Sequence, residues 1–98
     1  MKIFDKEFKV ELIEFEDKSI AGNPCRSVTF KVDNETYFYN YGGGPAIALS
    51  SVHKIDEKGI KHEVYSCWKH FPNGSYYQEI GRILSIEKRQ INQKQDVR

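Results

Sequence analysis

The chain has 98 residues, with 15 basic side chains against 14 acidic ones, and 39% of it is hydrophobic. That length gives one domain with its own core and excludes two. The net charge of +1 supplies no general field toward nucleic acid or an anionic membrane.

The first residues, Met1 to Glu7, carry no apolar leader run, and Ala46 to Leu49 is the longest uninterrupted apolar stretch, far short of a membrane span. Cys25 and Cys67 are the only cysteines, too few for a disulfide framework. These features point to a cytoplasmic protein with two reduced thiols.

Taken in chain order, Phe8 to Glu16 reads as a first strand. Phe8, Val10 and Leu12 alternate with Lys9 and Glu11, after which Ile13 and Phe15 carry the apolar side. The change of phase predicts a bulge near Leu12 and Ile13, or a strand covered on both faces. Gly22-Asn23-Pro24 supplies turn chemistry for the loop that follows. Cys25 to Asp33 is the second strand, with Arg26, Val28, Phe30 and Val32 on one face. Thr36 to Tyr41 returns as the third. A two-residue loop at Asp33-Asn34 pairs Phe30 with Tyr37, whereas a four-residue loop pairs Phe30 with Tyr39. Either register puts Tyr37, Tyr39 and Tyr41 on the core face with Val28, Phe30 and Val32.

Gly42-Gly43-Gly44-Pro45 breaks that strand. Ala46 to Asp56 and Ile60 to Phe71 then form a second hairpin around Glu57-Lys58-Gly59. A left-handed Gly59 favours the register that pairs Val52 with Val64. Apolar matching favours the alternative, which pairs Ile55 with Ile60 and His53 with His62. A competing assignment makes Pro45 to His53 a short helix opened by proline. Past the break at Phe71 to Gly74, Tyr76, Tyr77, Ile80, Ile83, Leu84 and Ile91 fall within about 120° at 100° per residue. This spacing predicts a helix from about Ser75 to Gln93, with a Ser75/Gln78 capping box and a frayed tail from about residue 94. Gln78, Arg82, Ser85, Arg89 and Asn92 fall on its polar side.

The expected fold is therefore α+β. An antiparallel sheet of about five strands carries one C-terminal amphipathic helix on one face. The core draws on Phe8, Val10, Val28, Phe30, Val32, Tyr37, Tyr39, Val64, Trp68, Ile80, Ile83 and Leu84.

No motif assigns a reaction. Cys67 and His70 lie three apart on a strand, hence on opposite faces, which opposes a shared metal. Cys67 reads as a small buried hydrophobe. The sequence holds no phosphate-loop, dinucleotide or nucleophile-elbow signature. No cofactor, metal or catalytic set is expected.

The leading functional reading is a non-enzymatic module acting on another protein, as an inhibitor or accessory factor, or on a second copy of the chain. Its contact candidates are Glu11, Glu14 and Glu16 in an N-terminal region of net charge −3, and Arg82, Lys88 and Arg89 in a C-terminal region of +3. The second reading is a nucleotide, phosphate or single-stranded nucleic acid held by Arg26, Tyr37, Tyr39, Tyr41, Gly42, Gly43 and Gly44. A small enzyme using Cys67 or a histidine ranks last.

Overall fold

Alternation of large apolar and polar residues builds strands here, and the sheet they form has one face for the core and one for solvent. The computed structural model describes residues 1–43 and 48–96, and the side chains of residues 1–43 and 49–90. A short hairpin, β1 (Lys2–Ile3) and β2 (Lys6–Glu7), comes first. Five strands follow: β3 (Val10–Asp17), β4 (Cys25–Val32), β5 (Glu35–Gly43), β6 (Ala48–Ile55) and β7 (Lys61–Ser66). They pair antiparallel in sequence order, so that β3 and β7 are the edges of this sheet. The chain closes with α1 (Gly74–Asp96), which packs across one sheet face. This is the α+β arrangement expected.

The hairpin registers follow from their turns. Asp33 and Asn34 both take positive φ, 49° and 74°, the backbone of a tight two-residue turn. Phe30 therefore lies opposite Tyr37 and Val28 opposite Tyr39. At the β6–β7 turn Gly59 has φ 81°. The Gly59 N–H donates to the Asp56 carbonyl at 2.9 Å, and the Asp56 N–H to the Ile60 carbonyl at 3.0 Å. This three-residue turn sets Lys54 opposite His62 and His53 opposite Glu63. The two histidines are thus not cross-strand partners.

Two bulges correct the phase. One falls between Leu12 and Glu14, so Ile13 is the extra residue, 49% exposed, and Phe15 resumes the core face. The other shifts the register between Val52 and His53, pairing Val52 with Tyr65 in place of Val64. A core row then crosses the sheet as Phe15, Val28, Tyr39, Val52 and Tyr65.

The helix closes this face. Ile80 and Leu84 are buried against Val28, Phe30, Val32, Tyr37, Tyr39 and Val52, with Ile3 contributed by the short hairpin. The Tyr77 ring stacks on that of Tyr37 with centroids 4.5 Å apart. Phe8, Val10, Val64 and Ile83 pack around the edge of the cluster.

Several expectations are corrected. Trp68 does not join the core and is 78% exposed. The strand ends at Ser66, and a Ser66–Lys69 bridge turns Cys67 and Trp68 outward at its tip. Both cysteines are free and exposed, Cys67 included. Residues 48–53 are strand, not helix; the remaining part of that assignment, 45–47, lies outside the described residues. Ser85 belongs to the buried side of the helix, 2% exposed. It occupies the same helical stripe as Gly81, one turn on, where it meets the Arg26 side chain. The helix begins at Gly74, a residue before the expected start. Ser75 therefore sits inside the first turn and cannot act as N-cap, and no Ser75–Gln78 bond occurs among the described hydrogen bonds. At the other end the helix continues past Gln93 to Asp96.

Candidate binding cleft

The core face of the sheet runs out at one end, where Asp17, Arg26 and Tyr41 lie side by side on β3, β4 and β5. The same parity that buries Val28 and Tyr39 aims these three toward the helix side. Here α1 offers Ser85 and then Arg89. The loop 18–24 closes the remaining wall, giving a concavity of about 480 Å³ lined by Ser19 to Pro24, Arg26, Tyr41 and Arg89.

The loop is firmly built. Lys18 N–H donates to the Cys25 carbonyl at 2.8 Å, and Ile20 and Asn23 exchange two backbone hydrogen bonds of 3.1 and 2.7 Å. Gly22 takes φ 78° at the turn, which glycine adopts without strain. Ser19 N–H donates to Asp17 Oδ1 at 2.9 Å, and Cys25 N–H donates to Ser19 Oγ at 2.8 Å. The wall is therefore preorganised rather than slack.

Arg26 is the central group. It is half-buried, its guanidinium lies 4.6 Å over the Tyr41 ring, and its Nε donates to Ser85 Oγ at 3.2 Å. Among the described residues neither Arg26 nor Arg89 has a carboxylate within ion-pair distance. Asp17 is the nearest anionic neighbour in the ladder. Partial burial raises its carboxyl, but hydrogen bonds from the Ser19 hydroxyl and N–H and the charges of Arg26 and Arg89 outweigh that and hold it below the usual carboxylate range. Chemically, the cleft offers two permanent cations, one covered aromatic ring and a fixed anion at its rim.

The structure sorts the sequence candidates. It brings Arg26 and Tyr41 together with Arg89, which the sequence places in a different set. Tyr37 and Tyr39 lie beneath the helix, with Tyr39 only 2% exposed, so their ring faces are taken by the core. Gly42 lies in the ladder between Cys25 and Leu49, and the Gly43 N–H donates to the Pro24 carbonyl at 3.2 Å. That donor is already committed. Gly44 lies outside the described residues. Glu11, Glu14 and Glu16 are exposed on the face of edge strand β3 turned away from the helix. Arg82 is paired with Glu79 one helical turn back, and Lys88 is half-buried beside the cleft residue Arg89.

Sequence reading gives Ser85 to the polar side of the helix and reads the loop before Cys25 only as a turn, so neither they nor Asp17 enter a candidate site. A small-residue spacing, Gly81 then Ser85, was the available signal, since such residues mark a helix face in close contact. Periodicity counts serine as polar and assigns it to solvent.

A second concavity of about 580 Å³ lies between the two hairpin tips. Three of its charged side chains, Glu35, Lys54 and Asp56, already have partners. Lys54 Nζ is 2.5 Å from Glu35 Oε2, and Asp56 takes the Lys58 and Ile60 N–H groups and lies 2.8 Å from His62 Nε2. No three His, Cys, Asp or Glu side chains among the described residues come together as a metal set, and no described helix is long and apolar enough to cross a membrane. Comparison with protein-family models, curated proteins and solved structures finds no significant match to this chain.

Proposed function

We propose that the chain is a non-catalytic binding module acting on another protein, with the Arg26–Tyr41–Arg89 cleft as its contact site. One observation carries this reading: a half-buried guanidinium, oriented by Ser85 and Tyr41, has no carboxylate partner of its own within ion-pair distance among the described residues. Holding an arginine partly desolvated without a counter-ion in contact is costly, and a partner's anionic group offsets that cost on binding. The rigid loop lowers the ordering penalty of association. Nucleotide or nucleic-acid stacking has weaker support, because Tyr37 and Tyr39 are buried and Arg26 covers Tyr41. Two exposed, unpaired thiols fit residence in the reducing cytoplasm.

The test is differential capture from a native lysate. Wild-type protein should retain a defined partner that Arg89→Glu and Arg26→Glu lose, while Glu14→Lys on the opposite sheet face retains it. Arg89 sits at the cleft rim, so its variant should keep the wild-type melting temperature. Equal recovery with the wild type and Arg89→Glu would remove the cleft from the reading.

A further inference from the structure

We infer that the group the cleft takes is a carboxylate, supplied by an acidic side chain or a free C-terminus of the partner, and that Ser85 makes it so by fixing Arg26 end-on. This rests on the cleft being the contact site.

Three features point the same way. The first is the donor count. A guanidinium has five N–H donors, and Nε–H of Arg26 is spent on Ser85 Oγ. One flat face of the group lies over Tyr41. What remains is the Nη1/Nη2 end, two parallel donors whose spacing fits the two oxygens of one carboxylate. The second is charge. Two guanidinium groups less the Asp17 carboxylate leave a local surplus of +1, counted from the charged groups around the cleft. A carboxylate neutralises that surplus. A phosphate monoester, near −2 at neutral pH, would leave uncompensated negative charge beside Asp17. The third is the backbone. Phosphate sites recruit free N–H groups. In this cleft the N–H groups of Ser19, Ile20, Asn23 and Gly43 are given to protein oxygens, which leaves only those of Ala21 and Gly22, at the tip of the turn, without an acceptor among the described hydrogen bonds.

The experiment is an NMR titration of the full chain at low, matched ionic strength, following the arginine Nε–H and tyrosine ring signals. The probes are N-acetylglycine for a terminal carboxylate, N-acetylglutamate α-amide for a side-chain carboxylate, inorganic phosphate and phosphoserine amide. Both carboxylates should shift Arg26, Arg89 and Tyr41 saturably and bind more tightly than either phosphate probe. The tighter of the two carboxylates names the source. Arg26→Lys should weaken carboxylate binding roughly tenfold, the loss expected for one charge-assisted hydrogen bond. Ser85→Ala frees Nε and should narrow the preference for carboxylate over phosphate. Tighter binding of phosphate by the wild type overturns the carboxylate assignment and leaves the cleft as contact site. An unchanged preference in Ser85→Ala overturns the role of Ser85. If no probe moves the cleft signals the inference fails, and the contact-site reading then stands or falls on the capture experiment alone.

Discussion

Tyr39 shows how one position serves the core and borders the site. Burial pushes its phenol up to about 12, with the nearby Arg26 charge pulling part of that back. Burial and the adjacent Tyr77 hydroxyl also push Tyr37 upward. The folded chain therefore keeps these phenols protonated at a pH where the unfolded chain has released the protons. Folded-state proton binding then exceeds unfolded-state binding, and stability falls as pH rises from about 10 toward 12. Tyr39→Phe should leave the melting temperature at pH 7 close to wild type and make the alkaline decline shallower. A decline of unchanged steepness, read by thermal melts across that range, would show that Tyr39 ionises freely. The face that Tyr39 occupies follows from parity alone and is legible in the sequence. The orientation of Arg26 is not, because it depends on Ser85 from an element 59 residues away.

At the scale of elements, the separation of helix and sheet is set by glycine. A Cβ built on Gly81 would lie 2.6 Å from Tyr39 Cβ and Cδ1, with a further ring carbon closer still. Helix propensity alone makes alanine better than glycine by about 1 kcal/mol. Here overpacking wins, since side chains forced into a filled interface cost about 1–3 kcal/mol. Gly81→Ala should lower the melting temperature by roughly 10 °C. A midpoint at or above wild type would mean that the helix has room over Tyr39 for a methyl group. The facing of β5 was legible because both loops weighed are even in length and keep the same face inward, whereas the register between them was decided by the tight turn at Asp33 and Asn34. The β7 side was not legible. The bulge at Val64 and the stop at Ser66 come where Gly74, at the start of the helix, sits against the Val64 carbonyl and the Tyr65 ring, a contact to which strand periodicity is blind. Trp68, a residue that composition assigns to cores, is carried outward as a result.

For the molecule as a whole, the two faces of the sheet differ in kind. The helix covers one. The other presents rows such as Glu14, Thr29, Phe38, His53 and Glu63, with Lys61 Nζ 4.2 Å over the Phe38 ring. Acidic groups stand at both ends of that row, and the mixed charges suit solvation. Cys25 opens at one end of this assembly and Cys67 at a turn tip, both exposed and unpaired. Ellman reagent should therefore label two thiols in the native protein at rates near those in denaturant. One or both thiols reacting slowly until denaturant is added would place them under cover. Exposure of these cysteines was not legible because burial statistics for cysteine describe the average site, and these two sit where strand ends meet solvent.

The bond between Arg26 and Ser85 also has a temporal meaning. Each strand of the five-stranded sheet pairs with its sequence neighbour, so the hairpins can close over short loops as the chain emerges. The cleft cannot. Its walls come from Ser19 to Pro24, Arg26 and Tyr41, and its remaining cation and the serine that orients Arg26 come from the helix made after the whole sheet. Until that helix docks, the sheet exposes its apolar face and Arg26 swings without a fixed direction. On the function proposed for the cleft, competence to bind arrives only with this helix, and a nascent or clipped chain lacking it holds no assembled cleft.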